Sequence, residues 1–121
     1  MDNPKSEIQN PKSEINFEDF TKIDLRAGTV LAAEKVEKAD KLMKLQVDMG
    51  GGEIRTIVSG IALHYAPEEV TGRQVTVVAN LAPRKMRGIE SAGMILMAED
   101  ADGKLVFVSP LSMVPAGADV K

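Results

Sequence analysis

An all-β fold, a five-stranded Greek-key barrel with short helices, is what this sequence predicts. Three observations carry the prediction. Residues 42–49, "LMKLQVDM", put Met43, Leu45, Val47 and Met49 on one face and Lys44, Gln46 and Asp48 on the other, the period of a half-buried strand. Gly50–Gly52 then turn the chain into a second run, Glu53–Ser59, which makes a hairpin. Residues 73–81, "RQVTVVANL", are rich in β-branched side chains, which favour pleated backbone.

The remaining elements follow in chain order. The hexapeptide Asn3–Ile8 is repeated at Asn10–Ile15, a period of seven. Two heptads with a proline in each are too few and too broken for a coiled coil. Residues 1–16 are therefore expected to be a disordered extension, and 17–121 the folded domain. Asn16 is placed to cap a short helix over Phe17–Lys22, with Glu18 and Asp19 in its first turn. A strand spans roughly Asp24–Val36. Residues 60–70, "GIALHYAPEEV", lose the alternation and read as a short helical connection. A fifth strand lies near Gly93–Glu99. One more, Lys104–Val108, leads into an apolar tail broken by prolines. Leu111, Met113 and Val114 exceed what one small barrel buries, so the tail is expected either to form a subunit interface or to pack back along the barrel.

Strand, strand, strand, helix, strand, strand is the order of an OB-fold, whose ligands lie on strands 2 and 3 and on the loops joining strands 1–2 and 4–5. The 4–5 loop is then "APRKMRG", with Arg84, Lys85 and Arg87 within four positions. The 1–2 loop is "EKADK", with Lys38 and Lys41. The whole chain has a formal net charge of −3, so an anionic partner must be held by this local cluster and not by a general positive surface. Pro83 and Gly88 fix the loop's geometry. Asn80, Ser91 and Gly93 border it with small groups that leave room for a phosphate or sugar. Arginine's planar fork suits phosphate oxygens. The bland alternative is a solvated turn.

Catalytic chemistry finds little support. The chain has no cysteine, which excludes disulfides, thiol catalysis and cysteine-ligated metals. Its one histidine, His64, has no nucleophile motif beside it. "EDADG" at 99–103 lacks the spacing and terminal glutamate of a calcium loop and reads as a hairpin turn. "GGGE" lacks the lysine and helix of a phosphate-binding loop. No cofactor, metal, small-molecule substrate or membrane contact is expected. Met1–Asn16 is polar throughout, without the apolar centre of a signal peptide, which points to the cytoplasm. The only aromatics are Phe17, Phe20, Tyr65 and Phe107, none in a predicted binding loop. Single-strand binders stack bases on such side chains, so a structured RNA held by shape and phosphates fits better.

"ANLAPRKMRGIESAGM" at 79–94 closely resembles the signature of the tRNA-binding domain appended to bacterial methionyl-tRNA synthetases, also found as free-standing proteins. "DLRAGTV" at 24–30, "ADKLMKLQVDMGG" at 39–51 and "PAGADVK" at 115–121 match as well, so the likeness covers 17–121. The resemblance implies an OB-fold whose C-terminal extension completes a homodimer, and tRNA binding by structure without catalysis. It assigns RNA contact to Asn80, Arg84, Lys85, Met86, Arg87 and Ser91, with Lys41 in support. A synthetase catalytic domain is an implied partner. Arg26 and Gly28 match a motif of structural character. Relatives with histidine-proline before the alanine-aspartate-lysine-leucine motif differ here, where Glu37 and Lys38 stand. A second branch of the family is chaperone-like, which leaves a polypeptide-binding dimer as the alternative.

Overall fold

The computed structural model describes residues 12–121. Most of the expected N-terminal extension, residues 1–11, lies outside the described residues. The elements in chain order are α1 (Phe17–Phe20), β1 (Leu25–Val36), β2 (Ala39–Asp48), β3 (Ile54–Ser59), α2 (Pro67–Val70) and β4 (Gln74–Val78). They continue with β5 (Arg84–Met86), β6 (Ile89–Ser91), β7 (Met94–Ile95), β8 (Met97–Glu99), β9 (Leu105–Phe107) and β10 (Ala118–Asp119). The main sheet is antiparallel, in the order β3-β2-β1-β4-β7, with β10 added against β1.

Strand β1 organises this sheet because it serves two partners. Its first half pairs with β4, from Leu25↔Val78 to Thr29↔Gln74. Its second half pairs with β2, from Thr29↔Asp48 to Val36↔Ala39, with a register shift between Val30 and Ala32. A bulge of this kind bends a strand and sharpens its twist. Gly28 sits at the changeover, where a Cβ would come within 2.5 Å of the Val47 side chain. Any side chain there would push β1 off the layer beneath it. The segment between β6 and β7 reaches the β3 edge of the sheet, where the Ala92 N–H donates to the Thr56 carbonyl at 2.9 Å.

The core is the face read from the alternation. Met43, Leu45, Val47 and Met49 are all buried, together with Val30, Ile57, Ile61, Val70, Val75 and Val77. Asn16 caps α1 as expected, its Oδ1 accepting from the Asp19 N–H at 3.0 Å, although the helix stops at Phe20. The 60–70 connection is a series of turns followed by the four residues of α2.

Two boundaries differ from the sequence pattern. The expected fifth strand is broken at Leu96, whose N–H turns to the Thr76 carbonyl at 2.9 Å. Its first part, β7, pairs with β4, and its second, β8, leaves the main sheet to pair with β9. The cationic segment is not an open loop but a β-hairpin, β5–β6. Both are short pairings set by neighbouring backbone, which residue propensity does not encode.

The C-terminal tail packs back along the barrel. The buried Gln74 side chain clamps it, Nε2 donating to the Val114 carbonyl at 2.7 Å and Oε1 accepting from the Val114 N–H at 3.0 Å. β10 then fills the side of β1 that β2 has left, pairing Ala118 with Ala27 and Asp119 with Arg26. The backbone is thus satisfied while Leu111 is fully exposed and Met113 is 73% exposed.

Candidate nucleic-acid interface

The β5–β6 hairpin is anchored at its base and exposed at its tip. Asn80, just after β4, accepts from the Asp24 N–H at 2.8 Å through Oδ1 and donates through Nδ2 to the Lys22 carbonyl at 2.6 Å. Arg55 donates to the neighbouring Ala79 carbonyl and pairs with Glu53 at 2.6 Å. On the other leg, the Ser91 hydroxyl is buried, accepts from the Val58 N–H at 2.9 Å and donates to the Gly93 carbonyl at 3.0 Å. These attachments, with the Ala92 bond to β3, hold the legs on the barrel. The resemblance gave Asn80 and Ser91 to the RNA, but their polar groups are engaged within the protein.

Between these anchors the register is Arg84↔Ser91, Lys85↔Glu90 and Met86↔Ile89. The connecting turn is two residues, Arg87 at φ +53° and Gly88 at φ +81°. Two positive φ values are what a tight hairpin turn matched to strand twist requires, and asparagine or glycine normally fills the first position. Arginine there is disfavoured by about 1–2 kcal/mol. The β1–β2 connection is equally short. Val36 pairs with Ala39, so the connecting loop is only Glu37 and Lys38, and Lys41 belongs to β2. Lys38 takes φ +63°. Among the described residues, Lys38 and Arg87 are the only non-glycine positions with positive φ.

These two strained cations border the same cleft. Lys38, Lys41 and Arg87, together with Asp40, line one open cleft of about 620 Å³. The tertiary structure therefore brings the two basic segments to one rim of the sheet. None of Lys38, Lys41, Arg84, Lys85 and Arg87 enters an ion pair among the described residues. Arg26, by contrast, lies 2.9 Å from Asp24, whose carboxylate raises the guanidinium's pKa. Lys38 is the residue that sequence reasoning placed in the loop but did not assign to the site. Its signal was the two-residue turn, which only the pairing reveals.

β5 also has two faces, as strand alternation demands. Arg84 and Met86 line a cavity of about 240 Å³ against Val58, Ser59, Leu81, Met94 and the buried Ser91. Arg87 lines the other cleft. Among the described residues there is no group of three or more potential metal ligands, and no helix is long and apolar enough to cross a membrane.

The order β3-β2-β1-β4 is a Greek-key arrangement, a class of antiparallel β module that here gathers cations unpaired among the described residues on one rim. Within that class, the chain belongs to the tRNA-binding domain family: residues 25–119 match the family model described as "Putative tRNA binding domain". Curated relatives include the methionine–tRNA ligase of Porphyromonas gingivalis, 61% identical over 108 residues, which are 89% of this chain and 16% of that protein. The Flavobacterium johnsoniae methionine–tRNA ligase is 57% identical over 119 residues, 98% of this chain and again 16% of that protein. The chain thus spans about a sixth of the length of these relatives. Among solved structures, a MetRS-related protein from Pyrococcus horikoshii superposes with a TM-score of 0.84 at 42% identity, covering 91% of this chain and all of that one. The chaperone CsaA from Bacillus anthracis gives 0.82 at 30% identity, covering 90% of this chain and all of that one.

Proposed function

We propose that this chain is a non-catalytic module that binds tRNA by its shape and charge, with Arg84, Lys85, Met86, Arg87 and Lys41 at the contact surface. Asn80 and Ser91 position the hairpin from behind. The convergence of Arg87 with Lys38 and Lys41 on one cleft carries this reading, because it turns two separate basic segments into one cationic surface. Cations without carboxylate partners release counterions when they meet phosphate, so affinity falls steeply with salt. Curated relatives that carry a similar segment are methionine–tRNA ligases. In that setting the module raises a synthetase's hold on tRNA in the cytoplasm, and a synthetase catalytic domain is its partner.

A second reading has one observation in its favour, the likeness to the chaperone CsaA. It is the weaker, since identity is higher to the synthetase-related proteins. Titrating one preparation with unfractionated tRNA and, in parallel, with an unfolded polypeptide separates the two. tRNA binding that weakens with added salt supports the first; polypeptide binding with no tRNA shift at low salt overturns it.

The homodimer is part of the same proposal. Leu111 and Met113 stand clear of the barrel, and an apolar groove lined by Phe17, Phe20, Ile23 and Val120 lies beside α1. Light scattering at micromolar concentration is expected to give about twice the 13.0 kDa chain mass. L111S/M113S is expected to give folded monomer, because the tail backbone stays clamped by Gln74; a monomeric wild type sinks the dimer.

A further inference from the structure

We infer that the cavity beneath the β5–β6 hairpin receives one unpaired nucleobase of the RNA whose phosphates the hairpin cations hold. This rests on the tRNA reading above and gives its structural selectivity a cause. The cavity, about 240 Å³, is smaller than the roughly 300–1,000 Å³ that enclose drug-sized ligands, and it suits a single planar ring.

Its chemistry fits a base. Val58, Leu81, Met86, Met94 and Ile95 supply apolar walls. Met86 and Met94 carry unbranched, polarisable thioethers, which make favourable contacts with aromatic rings and adapt to their outline. They offer an apolar stacking surface in a chain whose four aromatics all lie away from this cavity. Leu81 and Met94 are each 40% exposed, so this surface is not covered by the chain itself. Arg84 stands among the lining residues, where its guanidinium can meet the phosphate of the same nucleotide. Ser59 adds a hydroxyl, and Gly60 leaves its backbone edge uncovered by any side chain.

Charge selects a nucleotide over an apolar peptide side chain. Arg84, Lys85 and Arg87 border the cavity or its strand without ion-pair partners among the described residues, which complements a polyanion. The labour then divides: on β5, Arg84 and Met86 line the cavity and serve the base, while Lys85 between them and Arg87 in the turn follow the backbone. An RNA with an unstacked base near a phosphate ridge satisfies both faces, and an unbroken duplex satisfies one.

The test uses the full chain labelled at its methionine methyls. The four 5′-nucleoside monophosphates at low-millimolar concentration are expected to shift the Met86 and Met94 signals, with inorganic phosphate leaving them in place. The inference is overturned if the nucleotides shift neither methyl, or if phosphate shifts both equally. Shifts with an acidic, methionine-containing peptide but not with nucleotides overturn it too. In binding assays L81A/M94A is expected to lose about five- to tenfold in tRNA affinity at an unchanged salt slope, while a blunt RNA duplex binds as before. M94Q keeps the side chain's length and gives the same answer if the double variant folds poorly. Wild-type tRNA affinity in these variants removes the base site and leaves the hairpin reading intact. Wild-type affinity in a variant without hairpin cations removes the hairpin reading itself.

Discussion

Two small hairpins, β5–β6 and β8–β9, have strands of equal length and opposite electrical character. β8–β9 is built around its turn. The Asp100 carboxylate accepts from the Asp102 N–H at 2.8 Å and the Lys104 N–H at 2.9 Å, and Gly103 supplies the positive φ. Those backbone donors, Lys104 first, hold the Asp100 carboxyl below its ordinary value of 3.8. Its cation and aromatic also have company. The Lys104 ammonium lies 5.4 Å from the Tyr65 ring centre, and Phe107 meets Tyr65 at a tilt with centres 4.8 Å apart and receives the Arg73 guanidinium, from beside β4, at 4.8 Å.

β5–β6 does the reverse. Its turn puts arginine where asparagine or glycine would be easier, and its three cations face solvent without ion pairs among the described residues. One hairpin resolves its local conflicts and the other keeps them. Strain and unmet charge that persist on well-anchored legs are what the tRNA-binding proposal draws on. The same contrast holds within the arginines. Arg26 and Arg55 sit on carboxylates, whereas Arg84 and Arg87 have no ion-pair partner among the described residues.

Removing charge from each hairpin is the strongest way to break this comparison. R84A/K85A/R87A is expected to weaken tRNA binding at least about tenfold and to lower the slope of log affinity against log salt by roughly 2, at about 0.7–0.9 for each phosphate no longer neutralised. The weakening should be similar across tRNAs, since phosphate contacts position a partner without reading its sequence. Melting temperature should stay near wild type. K104A, on the other hairpin, is the control; an equal weakening there means the attraction is diffuse and the two hairpins do not differ in function.

A smaller effect sharpens the role of strain. Arg87→Asn relieves the left-handed conformation and is expected to stabilise the fold by about 1 kcal/mol while weakening tRNA binding. Thermal melts paired with binding curves read both. Stability gained at unchanged affinity would show that the turn arginine is merely tolerated.

The smallest effect belongs to β8–β9. The depressed Asp100 pKa means that the folded state favours the carboxylate, so its stabilisation is present above the ordinary value and lost as pH falls through the lowered one. D100A is therefore expected to lower the melting temperature by a few degrees at neutral pH. The difference should vanish in strong acid, with tRNA affinity unchanged throughout. A gap that survives acidification assigns the destabilisation to something other than the charge.

The sheet was legible because its signal is local. Alternation in 42–49 put Met43, Leu45, Val47 and Met49 on the core face, and the glycines at 50–52 named the turn. The basic cluster at 84–87 was visible as three cations in four residues, and Asn16 as a cap. Harder to see were the features set by pairing. The 37–38 loop looked longer than two residues, because "EKADK" has the composition of a solvated turn although Ala39 already pairs with Val36. Asn80 and Ser91 read as ligand donors, because small polar residues beside a basic segment suit either role; their bonds to Asp24, Lys22, Val58 and Gly93 give them a structural role that the sequence did not show.

The sequence by itself determined the antiparallel sheet, its core face and the location of the positive charge, since each is written in side chains a few positions apart. The tertiary structure decided the rest. The strand order already put the 1–2 and 4–5 loops at one mouth; what folding adds is that residues 38, 41 and 87 line a single cleft there, as β1 exchanges β4 for β2 along its length. The tail returns to the barrel because Gln74 and the vacant side of β1 offer it hydrogen bonds that apolar Leu111 and Met113 do not specify. Long-range hydrogen bonding of the backbone is nearly independent of which side chains are attached, so the chain had to be folded before those neighbours could be known.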